Sequence, residues 1–468
     1  MTVMRTTGNV FLGLRDPFPD MGVCATVRPW RLTVLAFLLA GWAGAVNAGT
    51  TERISVGPAG AEANGPSLNP VISAGGRYVA FWSDASNLVA GDTNGRSDIF
   101  VRDRQAGATE LISLGPDGSQ GNSESESPAI SASGRFVAFS SLSDNWVGGP
   151  GSDFSNVFVR DRLRLRTQRV SIGLAGARPD NGSDHPRVSP GGRYVVFDSA
   201  ASNLIAGDRN GFTDVFLFDR QTGRTERVSL TAGGGEANGT SVSGAVSSDG
   251  RFVAFASRAS NLVPGDTNGS GDVFVRDRLT GRTERISVGP GGVQGNRDSD
   301  EVASMSVDGS RIAFVSKATN LAPGFTRGSS KAFVRDRSTG HTVPVASTPT
   351  GGAANGSSYY AVIALDGRFV AFTSGADNLV PGDRNHAEDN FVRDLQQGRT
   401  DLVSLAANGA QACSALLSMR RWRRVAGSWR LPPTHPTSCL ATAMTWSIFS
   451  SASDEEGCPS GTFRSKHY

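Results

Sequence analysis

Residues 250–281 read GRFVAFASRASNLVPGDTNGSGDVFVRDRLTG, and close copies of this stretch recur along the chain. The copies begin at Gly76, Gly134, Gly192, Gly250, Ser310 and Gly367, each with an arginine just inside it: Arg77, Arg135, Arg193, Arg251, Arg311 and Arg368. The interval stays near 58 residues, and self-similarity at such a period marks a repeat architecture. Within one copy the pattern is that of strands. Tyr78-Val79-Ala80-Phe81, Ile99-Phe100-Val101 and Glu110-Leu111-Ile112-Ser113 are short β-prone runs. The Ser-x-Asp-Gly or Gly-Gly before the arginine signals a hairpin. That hairpin joins a preceding short strand, Pro128-Ala129-Ile130-Ser131 in the second copy, to the Phe136 strand. Asp-Arg-x-x-Gly, as at Asp277 to Gly281, makes the next turn. Four strands, A to D, follow per copy, and no segment of the repeats sustains a helical period. An all-β chain of four-stranded antiparallel units repeated six times predicts a β-propeller.

The pattern SxDGRxVAFxS…DVFVRDRxTGxTxRVS resembles the WD-repeat-like blades of the TolB family. The likeness covers residues 51 to 404 and implies a propeller. It carries little about function, because one fold hosts many, and TolB's own cell-envelope role does not come with the blades.

The ends read differently from the middle. Arg28 and Arg31 precede the apolar run Leu32 to Ala45, which closes on Val46-Asn47-Ala48. A basic segment, a short apolar run and a small-x-small site predict a secretory signal peptide over residues 1–48, with Met21 as an alternative start and Gly49 as the first mature residue. The run is short of the roughly 20 residues a membrane span needs, so no span is expected after cleavage. Export permits disulfides, yet Cys24 lies in the signal and Cys413, Cys439 and Cys458 in the tail, so nothing in the repeats relies on them. Setting aside four basic and two acidic residues before Gly49, and seven and three after Ala412, leaves 35 basic against 38 acidic in the middle. The overall charge of +3 therefore belongs to the ends, and no nucleic-acid partner is expected.

A further D-like segment, Thr51-Glu52-Arg53-Ile54-Ser55, stands before the first A–B–C set. It calls for a seventh A–B–C set at about residues 413 to 450. What stands there, CSALLSMRRWRRVAGSWRLPPTHPTSCLATAMTWSIFSS, is unlike any blade. Reading the third base of each codon from Val425 to Ser450 with the first two of the next admits RGFVAFASDASDLVPGDGDDLVDLLV, which follows GRFVAFASRASNLVPGDTNGSGDVFV over most of its length. The chain is thus expected to divide into a signal (1–48), a propeller (49–412) and an out-of-pattern tail (413–468) that is a seventh blade out of frame.

The A–B and C–D turns are tight, whereas the B–C and D–A loops are long and rich in Asp, Asn, Ser and Gly; binding belongs on such loops. The B–C loops carry Asp-x-Asn-Gly-x-x-Asp at Asp92, Asn94 and Asp98, at Asp208, Asn210 and Asp214, and at Asp266, Asn268 and Asp272. A fourth copy, with His386 for the glycine, is Asp383, Asn385 and Asp389. Alternating hard oxygen ligands around a glycine turn suit calcium, and the spacing is similar to the calcium loop of FG-GAP blades. The other reading is a plain turn with capping aspartates. The motif's three positions change together, to Pro150, Ser152 and Asn156 in the second copy and to Phe325, Arg327 and Lys331 in the fifth. By contrast Asn87 and Asp103 have counterparts in every copy and read as structural.

No enzyme is expected. His185, His341 and His386 occupy unrelated positions, and no Gly-x-Ser-x-Gly elbow appears. The function expected is an exported, non-catalytic scaffold for protein or peptide partners in the periplasm or outside the cell, with calcium as its one candidate ion. The alternatives are a calcium-assisted glycan-binding module and a hydrolase or lyase using loop carboxylates. The loop aromatics on which glycan recognition would rest are Trp146, Phe154, Phe212, Tyr359 and Tyr360.

Overall fold

The structure, a computed structural model, describes residues 51–147, 154–299, 301–326, 328–406 and 409–411. The signal segment and the tail of the sequence reading lie outside these residues. The chain forms six four-stranded antiparallel sheets, each ordered A-B-C-D as in the sequence. The blades run Ser67–Leu111, Ser125–Arg169, Ser183–Arg227, Ser241–Arg285, Glu301–Pro344 and Ser358–Leu402. The expected fold class is therefore the observed one, a β-propeller.

The strands form where Val, Ala and Phe alternate because each blade is covered on both faces. In blade four Val253, Ala254, Phe255, Val273, Phe274 and Val275 are all fully buried. Such two-sided burial favours continuous apolar runs over in-out alternation. Phe255 sits opposite Phe274 across strands B and C, with ring centroids 5.9 Å apart. Blade contacts then follow from the two faces. Val273, Val275 and Ile286 of blade four pack on Ile312, Phe314 and Leu321 of blade five. Each such burial contributes roughly 1.5–3 kcal/mol. The hairpin glycine is required at Gly250, where φ is 73° and a Cβ would strike the Tyr194 ring of the preceding blade.

Two details depart from the strand pattern. The D strands stop two residues earlier than the sequence suggests, at Leu111 rather than Ser113. The Ser113 hydroxyl, not its backbone, takes over the ladder by accepting the Ile99 N–H at 2.9 Å. All six A strands carry a register shift, and in four of them Asn69, Ser127, His185 and Tyr360 adopt positive φ there. Bulges re-aim side chains, and nothing in the local sequence announces these.

Thr51–Val56 lies in the place of a D strand without a C strand beside it among the described residues. Its contacts are those of every other D strand. Thr109, Thr167, Thr283 and Thr342 each donate a hydroxyl to the carbonyl that follows the preceding blade's D strand. Thr51 donates in the same way to the Leu405 carbonyl of blade six, at 3.1 Å. Glu52 accepts from Arg104 of blade one as Glu110 accepts from Arg162 of blade two, at 2.8 and 2.9 Å. The segment therefore occupies a seventh position between blade six and blade one.

Candidate functional site: the loop face

Hydrogen bonds sort the connections into two faces. On one, the arginine after each A–B turn grips the aspartate that opens the C–D turn. The closest N–O distances are 2.7 Å for Arg77–Asp103, Arg135–Asp161, Arg193–Asp219 and Arg251–Asp277, 3.0 Å for Arg311–Asp336 and 2.6 Å for Arg368–Asp394. The same carboxylates cap their turns: Asp103 accepts the N–H groups of Gln105 and Ala106. The structural role expected for these aspartates is what the geometry shows. The arginine holds Asp103, Asp219 and Asp394 down to a pKa of about 2.

On the other face the recurrent asparagine ties the B–C loop to the D–A loop. Asn87 accepts the Asn64 N–H at 3.0 Å and donates to the Glu62 carbonyl at 2.7 Å. Asn145, Asn203, Asn261, Asn320 and Asn378 repeat both bonds. The preceding glycine makes room, since a Cβ on Gly57 would overlap the Asn87 carbonyl. The two kinds of long loop thus share one face and are tied together at its base.

The Asp-x-Asn-Gly-x-x-Asp loops sit on this base. The asparagine presents its N–H2, not its oxygen, to the second aspartate. Asn94, Asn210 and Asn268 donate to Asp98, Asp214 and Asp272 at 2.8, 2.8 and 2.9 Å. Their oxygens accept the N–H two residues on, at Arg96, Phe212 and Ser270, and Asn385 accepts from Ala387. These asparagines are turn formers. The second aspartate is fully buried and takes the hydroxyl of the serine two residues beyond strand D, as Asp98 does from Ser113.

A residue the sequence reading passed over divides these loops into two kinds. Arg227, at the end of strand D in blade three, lies 3.0 Å from Asp208, 3.1 Å from Asp214 and 2.8 Å from Glu236. Arg285 stands likewise by Asp266 and Asp272 in blade four, at 3.3 and 3.7 Å. In blades one and six the same register holds Leu111 and Leu402. There Asp92 Oδ1, Asp383 Oδ2 and Asp389 Oδ2 are buried without a hydrogen-bond partner. Blade five replaces the acids altogether: Phe325 packs on Phe333 and the Lys331 ammonium donates to the Gly356 carbonyl. In blade two Asn156 accepts from Ser171 at 3.1 Å, and Pro150 and Ser152 lie outside the described residues.

Burial pushes Asp98 and Asp208 up to a pKa of about 6, in Asp208 against the pull of Arg227. The two faces therefore respond to acid with opposite sign. The raised loop-face groups bind protons more readily folded than unfolded, so their cost to stability is present above pH 6 and relieved on descent to pH 4. The depressed turn-face groups give stability above pH 4 that is lost towards pH 2. In the absence of divalent cations the melting temperature is expected to peak between about pH 4 and 5 by scanning calorimetry. A steady rise from pH 4 to 8 would contradict it.

The inner bulge brings together one pair that the sequence reading did not find. His185 Nδ1 lies 3.2 Å from both oxygens of Asp198, a buried carboxylate on strand B, and this bond raises the imidazole's pKa. Of the aromatics expected on loops, Phe154 and Phe212 are 41% exposed, whereas Tyr359 and Tyr360 lie in strand A of blade six, where the bulge leaves Tyr360 45% exposed, and Trp146 is not available on the surface. It is buried edge-on against Phe139 and Phe158. Beside Phe212's blade, Leu174, Leu204 and Ile205 line a hollow of about 400 Å3.

No family model and no curated protein matches the sequence. Among solved structures, TolB from Acinetobacter baumannii is similar at 17% identity and a TM-score of 0.37 over 65% of this chain; the chain spans 59% of that protein's length. The β-propeller domain of the Trilobed protease from Pyrococcus furiosus, described as having an open velcro topology, aligns at 14% identity and a TM-score of 0.42, over 73% of this chain and 83% of that one. Oligogalacturonate lyase from Vibrio parahaemolyticus aligns at 10% and 0.41, covering 81% of each chain. These likenesses concern the fold alone. No helix among the described residues is long and apolar enough to cross a membrane. The six four-stranded blades among the described residues, with their sequence repeat, identify the fold of the chain as a β-propeller.

Proposed function

We propose that this chain is an exported binding scaffold whose loop face recognises a protein or peptide. The observation that carries the reading is the asymmetry of the two faces. The turn face repeats one Arg–Asp clip in all six blades, whereas the loop face keeps its asparagine base throughout but its aspartate loop in only four blades, with Phe154 and Phe212 exposed in blades two and three. A rigid frame with variable loops is the usual arrangement of a recognition surface. Phe154 and Phe212 are its exposed aromatic anchors, a residue type that often dominates binding energy.

The test is capture from cell-envelope extract by the wild-type chain and by surface variants. Phe154→Ala with Phe212→Ala is expected to weaken capture of the same partner at least tenfold, while Arg135→Ala on the turn face leaves it unchanged. Equal losses from both faces would refute the reading. Export is checked separately: secreted material should begin at Gly49, and a chain retaining residues 30–45 would remove that part.

One observation favours a second reading, in which the propeller is a hydrolase or lyase. His185 is held by a buried carboxylate, an arrangement that suits a general base. His185→Ala should leave partner capture intact under the first reading and abolish turnover under the second.

A further inference from the structure

We propose that blades one and six each bind a calcium ion, between Asp92 and Asp98 and between Asp383 and Asp389, in the place that an internal arginine fills in blades three and four. The inference goes beyond the scaffold reading and does not depend on its partner. Strand register fixes the equivalence: Arg227 lies opposite Phe216 and Arg285 opposite Phe274, as Leu111 lies opposite Phe100 and Leu402 opposite Phe391. Where the guanidinium is present, it neutralises the acid pair from within. Where leucine replaces it, the pair persists without the internal guanidinium, and only the exposed His386 in the blade-six loop acts on Asp383. Asp92 is 8% exposed with Oδ1 unpartnered, and Asp389 is fully buried with Oδ2 unpartnered. A buried carboxylate oxygen without a donor carries the full desolvation cost, and two of six repeats carry that cost at the same place. Blades two and five, which lack the acids, present Asn156 and Lys331 there instead. Carboxylate oxygens without histidine or cysteine suit a hard cation. Among the described residues no three His, Cys, Asp or Glu side chains converge. Two carboxylates completed by water therefore place affinity with weak extracellular sites, at about 10⁻⁴ to 10⁻³ M.

Calorimetric titration of the chelator-treated full chain with calcium chloride is expected to show two sites. Leu111→Arg and Leu402→Arg should each remove one. The double variant should bind none, and should melt in chelator at least as high as the wild type does. Asp92→Asn with Asp383→Asn provides a second, near-isosteric route to the same loss. Absence of binding at millimolar calcium, or binding that survives either double variant, would overturn the assignment.

A separate observation carries a second inference. We propose that the seventh position is the seat of a seventh blade encoded by this gene in a shifted frame, with Thr51–Val56 as its D strand. The face of blade six that points to this position is incompletely covered: Ala371, Asn390, Val392 and Val403 are partly exposed. Their equivalents in blade four, Ala254, Val273, Val275 and Ile286, are at most 1% exposed. On the other side Ile54, in this seventh position, packs with Val79, Phe81 and Phe100 of blade one. The shifted reading fits this seat in register. In the given frame Gln411 bridges Leu405 just as Gln294 bridges Val288. The first strand-A serine lies five residues after that glutamine, at Ser299 in blade five. Codons 416–427 of the shifted frame admit Ser-Glu-His-Ala-Pro-Val-Ala-Pro-Gly-Gly-Arg-Phe, beside Ser-Asp-His-Pro-Arg-Val-Ser-Pro-Gly-Gly-Arg-Tyr at residues 183–194. Its serine codon begins 14 bases after Gln411, which places the serine five residues on once two bases are removed and six once one is added. Bases fixed by Thr442 and Ile448 restrict shifted codons 441 and 447 to Tyr, His, Asn or Asp. Those are the places of the two loop aspartates. Arg53 already pairs with Glu62 there, as Arg227 pairs with Glu236.

Sequencing the gene over codons 405–451 tests this directly. A change equivalent to one base added or two removed relative to the given reading, between codons 412 and 416, with third bases that spell the blade, is expected. Third bases that cannot spell it would overturn the proposal. The chain rebuilt with the shifted reading should be monomeric by light scattering and melt higher than the given chain. A rebuilt chain that gains no stability would equally defeat it.

Discussion

Replacing Phe274 by alanine is expected to cost about 3–5 kcal/mol in chemical unfolding, the usual range for a buried phenylalanine. Phe274 is fully buried, stacks on Phe255 within its own sheet, and packs against the strands of blade three through Val215 and Leu217. Its loss opens a void that two blades share, so neither can relax without pulling away from the other. Leu279→Ser, at a turn position 77% exposed in the same blade, is the matched control and should fall within about 0.5 kcal/mol. Because a repeat protein distributes its stability over neighbouring interfaces, the Phe274 variant is also expected to broaden the transition. Hydrogen exchange should then show lost protection in blades three and four before the rest. Equal protection across all six blades in that variant would argue that the sheets unfold as one unit and that the shared interface is not the weak point.

The propeller was legible because its causes are local and repeated. A glycine hairpin, an arginine after it and the alternation of Val, Ala and Phe recur at one period, so each copy supports the next. The constant asparagine and aspartate were legible for the same reason, and their roles follow from what they hold. The arrangement around the loop acids was less so. The discriminating residue, arginine or leucine at the end of strand D, lies 13 residues after the second aspartate, as Arg227 does after Asp214, and meets it only through strand pairing. The signal was present in the copies RTER, RTER, ATEL and RTDL, but it has meaning only once the D strand is laid over the B–C loop. His185 and Asp198 were further from reach, since a bulge with His185 at positive φ brings them together. Trp146 looked like a loop aromatic because its neighbours are polar; the structure turns it inward onto two phenylalanines.

Arg227→Met should destabilise the chain by about 3–5 kcal/mol at pH 7.5, because it leaves buried carboxylates without their counter-charge. The Arg227 side chain is 7% exposed and those of Asp208 and Asp214 are 6% and 0% exposed, so solvent cannot take over its role. Methionine keeps the volume and apolar stem, which confines the change to the charge. The pH dependence distinguishes this cause from simple packing loss. Asp208 already has its pKa raised to about 6 by burial, and removing the guanidinium raises it further. A raised acid binds a proton more readily folded than unfolded, so the penalty is largest well above pH 6 and falls as the carboxyl protonates on the way down. The gap in melting temperature between Arg227→Met and the wild type is therefore expected to narrow from pH 7.5 to pH 5. Adding Asp208→Asn to the variant should recover part of the loss at pH 7.5 and little at pH 5. A gap that stays constant over this range, with no rescue by the second substitution, would mean that Arg227 holds blade three by its contacts and not by its charge.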